Sequence, residues 1–573
     1  MYDTDGRITS LTETIDYLAN GAINKVEVSN HYSYTNDGRL TSSYISSGIR
    51  LNVTYEYDLL NRVSETEYKS NTSNGFENLN EYTYINSSYD SVSTSGQVTG
   101  HVSSVFKGAS RVSLNNYSYE YDDRGNITHI VQNGYNVYYH YDDLGQLVRE
   151  DNELLGETYE YGYDKAGNIT IKRVYSYTTT EVTSGGFTSY IRQYTNSAWG
   201  DQMTAYDGTD ITYDAIGNPL TYYNGSSYTF TWNGRQLATA AKGSNSYTFV
   251  YNSDGLRVEK TVNGVVHKYY YSGDQLLAEE WGNNLIIFLY DANGAPVGMK
   301  YRTASYASGT FDTYWYERNL QGDIVAIFGD NGTKYATYRY DAWGNHTVTY
   351  YNGGATIVPI ANNPFRYRGY YYDTDLQLYY LQSRYYDSST GRFINADGYI
   401  STGTGILGYN MYAYCNNNPV MYVDPLGTVT ITFSIGADVT FFFIGFSFSV
   451  GIAFDGYGNV AIQGSVSAPA YMTEGQMSNF GLIDAGVGFS TQITDDDTVY
   501  DLEGVSSYAG VSWGTGVYQA VDLVYSGANV IQDFDNDKQL SGVQYTVGVG
   551  IGVDLHHRQT YTFTIIPVVD RRR

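Results

Sequence analysis

The sequence predicts an all-β chain, in which a long ribbon of tyrosine-rich hairpins is followed by a small antiparallel β-barrel or sandwich. Three observations carry this expectation. Tyrosine supplies 66 of the 573 residues and glycine 61, against 8 prolines, and the tyrosines fall mostly in Tyr-x-Tyr words that suit strands. A word of the form Tyr-Asp-x-x-Gly recurs through residues 1–362, the mark of a repeat architecture. From residue 428 that word stops and strict two-residue alternation takes over, as in Val543, Tyr545, Val547, Val549, Ile551, Val553 and Leu555, the period of a strand with unlike faces.

In the repeat region, clear copies of the word begin at Tyr2, Tyr121, Tyr141, Tyr163, Tyr213, Tyr290 and Tyr340, with looser ones at Tyr57, Trp232 and Tyr251. Adjacent copies are about 20 residues apart, the length of a strand, a turn and a return strand. One repeat therefore reads as one hairpin. Tyrosines two apart share a face, the aspartate ends the strand by bonding the turn backbone, and the glycine takes the positive φ. A lone hairpin is marginal in water, so successive units must pair edge to edge, and a sheet of so many strands has to curl. The tyrosine rings serve either as ladders on the sheet faces or as stacking platforms for sugars, the ladder being their ordinary use.

Charge and motif content exclude several classes. A net charge of -27 gives the shell no basic face with which to displace counterions from nucleic acid. Cys415 is the single cysteine, so no disulfide framework exists, and its place among aromatic residues reads as packing. No run of 18 apolar residues occurs, as a membrane-spanning helix would need. The opening MYDTDGRITSL already spells a repeat turn, which reads as a piece of a longer chain lacking a signal peptide. Turn aspartates supply one carboxylate each, whereas a calcium loop gathers several oxygens within about 12 residues. Asp533, Asp535 and Asp537 open like such a loop, but Lys538 stands at its glycine and Gln544 at its closing glutamate. No metal or cofactor site is expected.

Residues 363–427 are the most specific stretch. Their words are Phe365-Arg366-Tyr367-Arg368-Gly369, Arg384-Tyr385-Tyr386-Asp387, Gly391-Arg392-Phe393, Asn410 with Tyr412 and Tyr414, Asn418-Pro419, and Asp424-Pro425-Leu426-Gly427. In this order they resemble the repeat-associated core block of the Rhs/YD-repeat family, which includes teneurins and the shell subunits of insecticidal toxin complexes. The resemblance implies a spiral, cocoon-like shell over residues 1–362, a plug over 363–427 and a variable tip over 428–573. It implies too that 427 residues are too few to close a shell unaided. In some members the block cuts the chain near its last Asp-Pro-x-Gly with paired aspartates, one acting as base and one as acid. The matching candidates here are Asp397 and Asp424. Three departures bear on this: Asp397 is followed by Gly398 where the family has proline, Thr428 stands where it has leucine, and 405–410 carries no acid before Asn410. Arg366, Arg368, Arg384 and Arg392 are expected to stack on tyrosines and pair with aspartates.

In the tip, about eight alternating strands can be drawn, one face bulky and apolar, the other glycine, serine and alanine. A soluble barrel would bury the bulky face, and a pore would turn it to lipid. Asp554, His556, His557 and Arg558 form its one cluster of catalytic residue types; they match no known spacing and read as a strand edge. The function implied by the resemblance is a secreted or cell-surface bacterial toxin component, with the tip as cargo. Two alternatives stay open: a surface protein that binds carbohydrate or another protein, and a tip that forms a pore and so meets a membrane.

Overall fold

A computed structural model of the protein describes residues 1–3, 7–19, 22–35, 39–47, 49–57, 63–71, 76–84, 98–107, 110–181, 186–398 and 409–424, and strands 430–441, 444–454, 460–469, 483–494, 504–526 and 539–569. For 17–19, 22–24, 49, 106–107, 110 and the last six strands the description is of backbone alone. The architecture is all-β, as expected. One sheet of 16 strands runs from Ser10–Ala19 to Thr209–Asp210, and a second of 14 strands runs from Thr212–Tyr213 to His346–Tyr350. In both, spatial order is chain order.

Each repeat word forms the same turn. Asp142 Oδ1 accepts from the backbone N–H of Leu144 and Gln146, both at 2.9 Å, while Oδ2 accepts from the Gln146 amide at 2.7 Å. Gly145 closes the turn at φ 80, a conformation costly for any other residue type. The strand registers shift by one residue just before the aspartate, between His140 and Tyr141, a bulge that strengthens local twist. Asp122, Asp164, Asp214 and Asp341 repeat this bonding.

The tyrosine of the word has a part that its β propensity does not announce. Tyr141 donates its hydroxyl to the carbonyl of Ile127 at 2.7 Å, Tyr163 to that of Leu147 at 2.6 Å, and Tyr340 to that of Ile324 at 2.7 Å. Each acceptor is the first residue past an earlier turn, so every hydroxyl staples one hairpin to another. At the looser copy Trp232 does the same through Nε1, bonding Pro219 O at 2.6 Å. Tyr163→Phe keeps the ring and deletes the staple, leaving a buried carbonyl short of a donor; the expected loss is about 1–2 kcal/mol, read as a lower urea midpoint. Other rings form ladders: His101 stacks between Tyr82 and Tyr117 at centroid distances of 4.9 and 5.4 Å.

The two sheets pack face to face where Phe76 meets Trp315 and Phe328 at 6.0 and 5.8 Å. Elsewhere a third layer separates them. Strands Tyr371–Asp373, Leu378–Leu381, Arg384–Asp387 and Arg392–Phe393 make a four-stranded sheet. Alternation splits its side chains between two cores. Leu378, Tyr380 and Tyr385 join the core of the 14-stranded sheet, and Tyr379, Leu381 and Tyr386 join that of the 16-stranded sheet. Such strands are apolar on both faces because both faces are covered.

Beyond residue 428 there are six strands, where the sequence pattern suggested eight. Two are long: Gly504–Ser526 of 23 residues and Gln539–Val569 of 31. Glycines that look like breaks in the sequence leave a backbone ladder intact, since the ladder needs no side chain. Val460–Pro469 pairs with both Ile444–Phe454 and Gln539–Val569, which closes the strands into a ring, the barrel of the two expected forms. Among the described residues no helix is long and apolar enough to cross a membrane, which says nothing of a β-barrel.

Candidate functional site

The two aspartates singled out by sequence meet at one arginine. Arg384 Nη2 lies 3.0 Å from Asp397 Oδ2 and 3.3 Å from Asp424 Oδ2, so the carboxylates are at most two hydrogen-bond lengths apart. The arginine is held flat on Phe393, 3.5 Å from the ring centroid, and its Nη1 donates to Met411 O at 3.2 Å. Asp397 is buried and donates its backbone N–H to the same carbonyl at 2.9 Å. The backbone N–H of Asp424 donates to the Tyr370 hydroxyl at 2.9 Å, and that hydroxyl bonds Tyr414 at 3.1 Å. Burial pushes the neighbouring Cys415 thiol well up, and the charge of Asp424 adds to this, so Cys415 stays a thiol. Residues 399–408 and 425–429, which include the bond after Gly427, lie outside the described residues.

The other arginines stack and pair as their sequence setting predicts. Arg366 covers Tyr372 at 4.4 Å, and Arg368 lies 5.0 Å from the Tyr367 ring centroid and 4.0 Å from Asp323. Arg392 reaches Asn168 Oδ1 at 3.0 Å, Asp201 O at 2.7 Å and Asn410 Oδ1 at 3.1 Å.

The block grips the repeats through their turns. Asn410 Nδ2 donates to Asn168 Oδ1 at 2.9 Å, Asn417 Nδ2 to Gln146 Oε1 at 2.9 Å, and Asn418 Nδ2 to Asn126 Oδ1 at 2.9 Å. These three acceptors close three successive repeat words. Tyrosine hydroxyls do likewise: Tyr367 bonds Ala342 O, Tyr386 bonds Trp343 O, Tyr379 bonds Gly344 O and Tyr412 bonds Gly217 O, at 2.7–2.9 Å. The ring of Tyr367 lies so close to Gly344, at φ 89, that an added Cβ would come 2.6 Å from it.

Sequence reading missed a buried charge cluster on the other side of the block. Asp373 binds Arg257 and Lys260, each at 3.0 Å, with all three side chains almost fully buried. Burial favours the neutral acid, but Lys260 and Arg257 outweigh it and hold Asp373 at about 2. Its one available signal was its place at the end of Tyr-Tyr-Asp.

In the tip, Asp554 and His556 pair with Ser512 and Gly510 inside the longest strand. That corrects the strand-edge reading, because the ladder runs straight through them. The acidic run Asp533–Asp537 lies outside the described residues.

No protein-family profile matches the chain. A tRNA3(Ser)-specific nuclease, WapA of Bacillus spizizenii, is 33% identical over 293 residues, 50% of this chain and 12% of that protein. Double-stranded DNA deaminase toxin A of Burkholderia cenocepacia is 40% identical over 89 residues, 16% of this chain and 6% of that protein. In fold, the crystal structure of TcdB2-TccC3-Cdc42 matches 74% of this chain and 23% of its own, at a TM-score of 0.56 and 17% identity. The chain thus spans about an eighth of the WapA relative's length. Shared repeats and shared shell fold together make this an Rhs-type chain, of the kind found in toxin proteins.

Proposed function

We propose that the chain is the closing end of an Rhs-type toxin shell: residues 1–362 form YD-repeat wall, 363–427 are the repeat-associated core block that closes it, and 428–573 are the variable tip it presents as cargo. The observation that carries this reading is the bonding of Asn410, Asn417 and Asn418 to three consecutive repeat turns. A block bound in this way seals the wall and sets the direction in which the chain leaves it. The direct packing of Phe76 on Trp315 fills the space between the sheets there, so cargo belongs beyond the closed end or within a longer shell. Delivery outside the producing cell, in the secreted or surface-bound state, accords with this role.

Asp397 and Asp424 are the pair through which the block would cut its own chain near Gly427. One carboxylate takes a proton from water while its partner, as the acid, gives one to the scissile amide. Arg384 positions both. Intact mass of the purified chain tests this beside Asp424→Asn. The expected result is two fragments dividing near Gly427 in the parent, and at least about 100-fold slower appearance of them in the variant. A single uncut chain in both would overturn self-cleavage and leave fixed display of the tip. Expression of residues 428–573 inside bacteria tests the toxin reading, with growth arrest expected; unimpaired growth would favour a surface-binding role.

A further inference from the structure

A cleft of about 510 Å³ opens where the block meets the second sheet, lined by Asn224, Ser226, Asn345, Thr374, Gln377 and Ser388 among others. Its volume is that of a small-molecule site, about 300–1,000 Å³, yet its wall is nearly all amide and hydroxyl. The charges at its base are already committed. Asp387, buried, accepts from Tyr222 and Asn224 at 2.8 Å and from the Ser389 hydroxyl at 2.6 Å. Arg366 donates to Asn363 O at 3.1 Å and to His346, and lies on Tyr372. His346 is kept neutral, first by burial and then by Arg366. An anion or cation entering here would find its natural partner occupied.

What is left over is neutral capacity. The Ser226, Thr374 and Ser388 hydroxyls and Asn345 Oδ1 have no bond to other described residues, while Asn345 Nδ2 is fixed by Asp341 and by Ser388 O. Planar amides and hydroxyls around one aromatic ring suit a ligand that offers many hydroxyls and no charge. We propose that this cleft binds a short uncharged oligosaccharide, independently of the toxin role above.

The test is titration of the whole chain with maltotriose and with chitotriose, followed by tyrosine fluorescence and calorimetry. Saturable binding of either sugar with a Kd below about 1 mM is expected, weakened at least about 10-fold by Ser226→Trp, which fills the cleft from an exposed hairpin. An unchanged melting curve for that variant would show that its fold is intact. Tyr135→Ala, on a ring 47% exposed on the outer sheet face, is expected to leave binding unchanged. Absence of saturable binding by both sugars at about 10 mM would overturn the proposal. So would loss of binding in Tyr135→Ala with none in Ser226→Trp, which would assign sugar to the surface tyrosines.

Discussion

Asp373→Ala is expected to cost about 3–5 kcal/mol, enough to abolish cooperative folding of the closed end. The acid is the shared counter-charge of Arg257 and Lys260, and all three side chains are almost fully buried. Arg257 is surrounded by Phe249, Tyr269, Tyr371, Tyr380 and Tyr385 within 6 Å, rings that favour a cation without neutralising it. Truncation of the acid strands two charges in a low-dielectric core. Replacing all three residues with apolar ones of similar size would cost far less, the contrast that identifies uncompensated charge as the cause.

The same cluster gives the protein an acid limit. Asp373 is held at about 2 against an ordinary 3.8, so its contribution, about 2 kcal/mol, is present above the ordinary value and lost as pH falls toward 2. Glu150 acts in the opposite sense. Burial, and then the charge of Asp341, push it up to about 8, so its contribution is whole below 4.5 and is lost as pH rises through 8. Urea midpoints measured from pH 2 to 9 should therefore fall at both ends, with Glu150→Gln flattening the alkaline side and leaving the acid side unchanged.

The second large effect is expected from Arg384→Met. The methionine can still cover Phe393, but Asp397 and Asp424 lose the guanidinium that binds both. At neutral pH the expected loss is about 3 kcal/mol, because breaking a buried pair leaves its partner charge uncompensated. Protonation removes that penalty, so the variant should regain stability near pH 4, where the parent gains nothing from acid. Thermal melts of both proteins at pH 4 and 7.5 check this. A pH-independent difference would mean that Arg384 acts through packing alone.

Much of this was legible from residue order. The repeat word specifies its own turn, since an aspartate, a glycine three residues on and a polar side chain next to it contain all the bonds seen at Asp142. The pairing of Asp397 with Asp424 was legible as two acids in one block, but their common partner was not. Arg384 belongs to the Arg-Tyr-Tyr-Asp word, and nothing local distinguishes its task from those of Arg366 or Arg392. The charge cluster was hidden for the same reason. Lys260 and Asp373 are 113 positions apart, and only the docking of the block onto the second sheet makes them neighbours. In the tip, alternation predicted strands but misplaced their ends, because glycine marks a turn only where φ must be positive.

The chain-order meander of both sheets has a consequence for synthesis. Every strand of the wall finds its partner in the hairpin made just before it, so a ribosome can build the wall one hairpin at a time, with no loop longer than a turn left open. Closure alone requires distant pieces to meet. The asparagines and tyrosines that lock the turns all lie after residue 362, so the seal is made after the wall and just before the tip emerges. The order of translation then serves as a timer: a nascent chain interrupted before Asn410 has a wall and no seal, and whatever follows Gly427 is exposed only once the lid is in place.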